Sequence, residues 1–408
     1  MEITGIIAEY NPFHLGHRYQ IEKIQEQNDS LIIAVMSGSF TQRGEAAILD
    51  KWQRAQCAVE SGCDLVLELP FVFACRSAQD FARGGVTLLQ RLGIVTQLAF
   101  GAESPDLARL QQLAAQMDAP ASQQALHEAI TTGQSYAQAL SQVLAIDKDT
   151  AHLMQQPNNI LALEYLRSLR QLESPLKPLL IQRQGAGYHE KSLHAPLASA
   201  TAIRQALYQQ EAIPANFLPP ATCQSIDQLQ TSQLPQMDRL LLPLQVRLLN
   251  SQLAELRSCY GINEGLENRI LDRSKTAATW RELAQAVTSK RYPSSRIART
   301  LLYLLLGLTK ADMAAFTAAG PLYARLLAAS PRGKTLLRPI KEHSSIPLIT
   351  KTSQYLTTNK RREAHGLTLL EQMLSLDTIA TELRNLTCQL PTERNDFQQS
   401  PIFSNRWQ

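Results

Sequence analysis

Residues 3–20 limit what this chain can fold into more than any other stretch. They open with a short apolar run, Ile3 to Ala8, of the kind that makes a buried strand. Asn11-Pro12 then ends it, because Pro12 has no N–H for a ladder and biases Asn11 away from helix. From His17 onward Tyr19, Ile21 and Ile24 recur on one side of a helix whose other side is charged and Gln-rich. The stretch is thus a strand, a tight turn and a helix N-terminus, with His14 and His17 at the junction. Backbone N–H groups and two imidazoles aimed at one spot suit a phosphate. Gly16 removes a side chain where a ligand would approach. A plain turn with two part-exposed histidines is the competing reading. A metal pair is disfavoured, since imidazole sites usually need a third protein ligand and none is evident nearby.

The same alternation continues downstream. Ser30 to Ser37 is a second buried strand, followed by a polar loop over Ser39 to Glu45 that carries Arg43. Lys51 to Glu60 reads as a helix, Asp64 to Leu69 as a third strand stopped by Pro70, and Ser77 to Leu92 as a helix capped at Gly93. Val95 to Phe100 is a fourth strand running into Gly101, and Pro178 to Arg183 a fifth with Arg183 and Gly185 at its outlet. Strands separated by helices of ten or more residues mean right-handed crossovers and a parallel sheet, so the first half is a Rossmann-like α/β unit. Ligands of such sheets sit beyond the carboxyl ends of the strands, where His14, His17, Ser37, Gly38 and Gly101 would lie. Asn158 and Asn159 stand where a helix N-cap belongs, or would offer an amide to a ligand's adenine or ribose. Ser199 and Thr201 are natural caps of a helix over Ala202 to Tyr208.

Past about residue 215 the texture turns proline-punctuated, then helical and leucine-rich. Lys290 to Arg299 holds Lys290, Arg291, Arg296 and Arg299 with no acid and one aromatic, Tyr292. It reads either as a solvated helix start or as a grip on a nucleic-acid backbone, with Ser294 and Ser295 capping a helix aimed at a phosphate. The expected division is a catalytic unit over 1–213, a mainly helical, basic unit over 214–330, and an extension over 331–408 with a small α/β unit and a loose end after Arg394. Net charge of +4 neither demands nor excludes nucleic acid. Six cysteines without a Cys-x-x-Cys pair support neither a zinc knuckle nor a redox dithiol. With no signal-peptide pattern, a cytoplasmic protein with reduced thiols is expected. The longest apolar run, Leu301 to Leu306, is too short to span a bilayer.

His14-Leu-Gly-His17 after a first strand resembles the signature of the HIGH-motif nucleotidyltransferase-like superfamily, and Ser199-Ala-Thr-Ala-Ile-Arg204 resembles its C-terminal phosphate-binding motif. Ala8 to His17, Met36 to Glu45, Lys51-Trp-Gln-Arg54, Asp64 to Pro70, Pro157 to Leu161, Ala198 to Arg204, Glu264 to Ile270 and Lys290-Arg-Tyr292 together resemble the bacterial tRNA(Met) cytidine acetate ligases. The resemblance implies that ATP and acetate form acetyl-adenylate, whose acetyl group passes to the wobble cytidine of elongator tRNA(Met). It implies His14 and His17 as catalytic residues. ATP would meet Ile7, Ala8, Glu9, Tyr10, Asn11, Pro12, Phe13, His14, Leu15, Gly16, His17, Arg18, Tyr19 and Gln20. Gly101, Asn158 and Arg183 would complete that pocket, and Ser199, Thr201 and Arg204 would take the triphosphate. Arg43, Lys51 and Arg54 would hold pyrophosphate or tRNA, and Lys290, Arg291, Arg296 and Arg299 tRNA. Magnesium is expected with ATP, on phosphate oxygens and waters. A small-molecule nucleotidyltransferase and a non-catalytic RNA-binding protein are the alternatives. The oligomeric state is not legible in the residues.

Overall fold

Five apolar runs of the first half form parallel strands, as their alternation with helices requires. In the computed structural model, which describes residues 2–27, 29–132, 134, 136–144, 148–154, 156–183, 199–389 and 394–404, they are β1 (Ile3–Ala8), β2 (Leu31–Ser37), β3 (Leu65–Leu69), β4 (Gln97–Ala102) and β5 (Lys177–Gln182). Their order is β5-β4-β1-β2-β3, each pair parallel. The order reverses between β1 and β4, the switch point at which a crevice opens. β2 and β3 are buried at every residue, because helices cover both faces and leave no polar side to alternate with. Successive side chains enter opposite layers. Ile33 and Val35 join Ile3 and Ile7 in one core, whereas Ile32, Ala34 and Met36 join Ile6 in the other.

The covering helices are α1 (Leu15–Gln27), α2 (Lys51–Val59), α3 (Ala78–Arg91) and α4 (Pro157–Gln171), followed by α5 (Ala200–Gln209), α6 (Ser294–Leu306) and α7 (Leu369–Leu386). Ile21, Ile24 and Trp52 bring α1 and α2 onto the second core, and Phe81, Leu89 and Leu163 bring α3 and α4 onto the first. Each fully buried large side chain contributes about 1.5–3 kcal/mol. α2 begins with a capping box in which Asp50 Oδ1 accepts the Gln53 N–H at 2.8 Å and Gln53 Oε1 accepts the Asp50 N–H at 3.1 Å. Two expected caps are displaced. α4 has Gln156 at its N-cap, leaving Asn158 and Asn159 inside the first turn, and α6 has Pro293 there with no side-chain cap, so Ser294 and Ser295 do not cap it.

The sheet does not stop with the first half. β6 (Ala324–Ala329) lies antiparallel beside β3, and β7 (Leu348–Ile349) and β8 (Ile402–Phe403) each pair parallel with β6. The expected boundary at 330/331 therefore cuts through elements of one sheet, and the extension is no separate small unit. β6 reads Ala-Arg-Leu-Leu-Ala-Ala, a run of good helix formers. It is a strand because the open edge of β3 offers it a ladder and burial of all six side chains. Nor is the described segment 394–404 loose: Asp396 is buried, bonded to Lys51 Nζ at 2.6 Å and paired with Arg325. Among the described residues no helix is long and apolar enough to cross a membrane.

Candidate active site

At the switch point a cavity of about 320 Å³ opens over the carboxyl ends of β1, β4 and β5. The turn after β1 supplies its two imidazoles. The rings of His14 and His17 are stacked with centroids 3.8 Å apart. Gly16 N–H donates to His14 Nδ1 at 3.0 Å, and His14 N–H donates to His17 Nδ1 at 3.2 Å. With both Nδ1 atoms accepting, each neutral ring carries its proton on Nε2, as a donor to an incoming oxygen. A Cβ on Gly16 would lie 2.8 Å from His14 Cε1, so only glycine lets that ring fold back onto its own turn.

Burial, with Arg183 and Arg204 nearby, lowers His14 to about 3. Burial, His14 and Arg183 push His17 well below its ordinary value too. The pair thus stands as two neutral rings rather than as a cation. In the free protein the His14 imidazole is expected to stay neutral down to about pH 3, read by following its ring nitrogens by NMR through an acid titration. An inflection near the ordinary 6.5 would contradict this electrostatic picture.

Guanidinium groups face the imidazoles. Arg183, just past β5, donates to Asn158 Oδ1 at 3.4 Å, and Asn158 Nδ2 donates to Glu103 Oε1 at 2.6 Å. Gly101 leaves room for Arg183, whose Cγ lies 3.2 Å from where a Cβ would sit. Arg204, on α5, donates to Asn11 O at 3.0 Å and to Thr201 Oγ1 at 3.3 Å and lies 3.4 Å from Glu45. Ser199 caps α5, its Oγ accepting the Ala202 N–H at 3.2 Å, so this helix N-terminus opens on the cavity. Opposite the charges the wall is apolar, from Ile7, Phe81, Phe100, Leu161 and Tyr165.

Sequence reasoning named fewer than all of these. Ile7, Ala8, Glu9, Tyr10, Asn11, His14, His17, Gln20, Gly101, Asn158, Arg183, Ser199, Thr201, Arg204 and Arg43 line the cavity. Pro12, Phe13, Leu15, Gly16, Arg18 and Tyr19 do not. Phe13 is fully buried in the second core and Tyr19 packs on it, while Arg18 is turned outward onto Glu22 at 2.8 Å. Gln42, Glu45, Phe81, Phe100, Ile160, Leu161 and Tyr165 were missed. The rule that loops after parallel strands carry the site would have reached Gln42 and Glu45, Phe100 ends the expected fourth strand, and Ile160 and Leu161 belong to the Pro157 to Leu161 motif; nothing local marks Phe81 and Tyr165. Gly185 and Ala198 lie outside the described residues.

Two expected contacts with pyrophosphate or tRNA are corrected. Lys51 is 1% exposed and Arg54 0% exposed, so neither reaches an external ligand. Lys51 Nζ is held by Glu68 and Asp396 at 2.7 and 2.6 Å. Arg54 instead ties strand outlets together, donating to Glu9 O at 2.6 Å, to Ser37 O at 3.0 Å and to Gly38 O. Of the basic run, Lys290 is exposed, Arg291 pairs with Glu264 and Arg296 stands 4.6 Å over the Tyr292 ring. Arg299 is half-buried and donates to Gln42 O at 3.0 Å. Gly44, at φ +78°, lies with its Cβ position 3.0 Å from Arg299 N, so the loop from Ser39 to Glu45 is pressed onto α6 where only glycine fits.

A parallel sheet with two stacked imidazoles after its first strand, at the switch point and facing a helix N-terminus, defines a HIGH-type nucleotidyl-transfer site as a class. Consistent with that, the family model described as HIGH Nucleotidyl Transferase matches residues 1–400. A tRNA(Met) cytidine acetate ligase of Syntrophomonas wolfei is 41% identical over 98% of this chain and 99% of its own. That of Syntrophotalea carbinolica is 39% identical over the same shares. Among solved structures, apo Thermotoga maritima TmcAL matches with a TM-score of 0.89 at 30% identity, covering 99% of both chains. The same protein bound with alpha-thio ATP matches with a TM-score of 0.85 at the same identity and coverage. The chain belongs to the tRNA(Met) cytidine acetate ligase family of the HIGH nucleotidyl transferases.

Proposed function

We propose that the chain condenses ATP with acetate to acetyl-adenylate and pyrophosphate, then transfers the acetyl group to the wobble cytidine of elongator tRNA(Met), giving N4-acetylcytidine. The observation that carries this reading is the stacked pair of neutral imidazoles, Nδ1 atoms bonded within their own turn, lining a cavity with an α5 N-terminus and two guanidinium groups around it. As the acetate oxygen attacks the α-phosphorus, charge grows on the phosphate oxygens. His14 and His17 donate Nε2–H to them, while Arg183, Arg204 and the α5 N-terminus hold the departing pyrophosphate. The apolar wall of Phe81, Phe100 and Tyr165 suits an adenine face or the acetate methyl group. Magnesium would come with ATP and would neutralise charge on its phosphates; among the described residues no three His, Cys, Asp or Glu side chains gather to hold a metal.

For the RNA, Lys290, Arg291, Arg296 and Arg43 are the backbone contacts, and Arg299 acts by seating the loop that carries Gln42 and Arg43. An unstacked anticodon base can enter an open cavity, as single-stranded loops allow. Replacing Lys290, Arg291 and Arg296 together by alanine should weaken tRNA binding and reduce its log–log salt slope by about two to three. Binding titrations at several salt concentrations measure both. The decisive experiment is incubation with ATP, labelled acetate and bulk tRNA, followed by nucleoside analysis. Label in acetylcytidine is the expected result; acetate-independent pyrophosphate exchange with no labelled nucleoside would favour a small-molecule nucleotidyltransferase.

A further inference from the structure

We propose that the Glu9 carboxylate accepts the exocyclic amine of the acceptor base and takes its proton as the acetyl group is transferred. This rests on the acetyl-transfer reading above. That reading assigns no described residue as proton acceptor for the second half-reaction. His14 and His17 already use both Nδ1 atoms as acceptors and carry protons on Nε2. Tyr165 is a buried phenol held protonated by its burial. Glu45, half exposed, lies 3.4 Å from the Arg204 guanidinium, which spreads its charge. Among the described residues, Glu9 is the other carboxylate lining the cavity.

Its position is fixed from several sides. Glu9 directly follows β1, its Oε1 accepts the Gln42 N–H at 2.7 Å, and its carbonyl accepts from Arg54 at 2.6 Å. Gln42 in turn gives its carbonyl to Arg299 of α6 at 3.0 Å. The sheet order separates two sides of the cavity. Gly101, Asn158 and Arg183 stand at the β4 and β5 outlets, the nucleotide side. Glu9 and Gln42 follow β1 and β2 on the other flank, joined to the helix whose start carries the basic run. A base arriving from α6 therefore comes in along the flank that carries Glu9 and Gln42.

The chemistry matches. Carboxylates accept hydrogen bonds from the N4 amine of cytosine. The nitrogen lone pair attacks the acetyl carbonyl carbon and the N–C bond forms. The bond from that carbon to the phosphate oxygen breaks, AMP leaves with its electron pair, and the amine proton passes to Glu9 and then to water. Burial raises the Glu9 carboxyl above its ordinary range, opposed by the Gln42 N–H and by Arg204 and Arg43, with Glu45 adding to the rise. The Glu9 charge is also felt at Cys75, Tyr165 and Arg54. A carboxylate raised in this way is a better proton acceptor near neutral pH.

The test separates the two half-reactions. In Glu9→Gln, transfer from enzyme-bound acetyl-adenylate to tRNA should fall by about a hundred- to ten-thousand-fold, at least ten times more than acetate-dependent ATP–pyrophosphate exchange falls. The wild-type rate of transfer should rise with pH through an inflection above the usual carboxylate range, and that limb should vanish in Glu9→Gln. Glu9→Asp should keep the limb at a reduced rate, which a purely structural role would not produce. Transfer by Glu9→Gln within three-fold of wild type overturns the proposal. So does exchange falling as far as transfer, which would put Glu9 on the nucleotide. A wild-type protein that exchanges but acetylates no RNA overturns the parent reading instead, and this proposal with it. Should Glu9→Gln not fold, the pH limb in wild type and Glu9→Asp decides alone.

Discussion

Lys51→Met should destabilise the protein by about 3–5 kcal/mol, the usual consequence of stripping one partner from a buried charge group. Lys51 Nζ lies 2.7 Å from Glu68 Oε1 and 2.6 Å from Asp396 Oδ1, with all three side chains no more than 2% exposed. Arg325 shares both carboxylates. Without Lys51, two buried carboxylates face one guanidinium, and the carboxylates repel one another out of reach of water. The loss reaches beyond α2, because Asp396 belongs to the segment that delivers β8 and Glu68 belongs to β3. Urea unfolding measures the change. Lys51→Met combined with Asp396→Leu should recover much of it, since a neutral apolar pair replaces an ion pair at little net cost. The pH dependence has a definite sign. Burial alone would raise Asp396, but Arg325 and Lys51 bring it down to about 2, below its ordinary 3.8. Its stabilising contribution is therefore complete above pH 4 or so and is lost as pH falls through about 2. The Lys51→Met variant should show a smaller loss over that acid interval than wild type.

His14→Ala should lower acetate-dependent ATP–pyrophosphate exchange by about a hundred- to a thousand-fold, the scale for losing one preorganised donor to a charged transition state. The effect should fall on kcat more than on KM, because the donor matters most where charge grows. His17→Ala should behave alike, and the double variant should lose much less than the product of the two. The rings are one unit: they stack at 3.8 Å, and the His14 N–H fixes the tautomer of His17. His14→Asn discriminates between donor and proton carrier. An amide can donate a hydrogen bond without titrating, so it should restore part of the rate if His14 acts neutral. No recovery, with a rate inflection near pH 6.5 in wild type, would instead make His14 a general acid.

Much of the site was legible because its parts are local. A strand ending at Ala8, a turn at Asn11-Pro12, a glycine at position 16 and a helix starting at Leu15 bring His14 and His17 together within one turn. Ser199 at the start of α5 is equally a matter of neighbours. The limits of local reading appear at Lys51 and Arg54. A lysine and an arginine at the start of a helix behind a polar loop look like ligand contacts, yet Lys51 meets partners 17 and 345 positions away. β6 fails for the matching reason, since its alanines and leucines carry helix propensity and only the bare edge of β3 makes them a strand.

The amino-acid sequence by itself determined the parallel sheet, the turn that carries His14 and His17 and the order of the motifs, because periodicity, proline and glycine act over a few residues. Tertiary structure alone decided which cations line the cavity and which are sealed in the core. It also decided that the chain's last described segment closes the sheet its first residues begin, and that Gln42 stands between Glu9 and Arg299. Those outcomes depend on burial and on charges meeting across hundreds of residues, where a low dielectric makes pairing compulsory and no short-range pattern announces it.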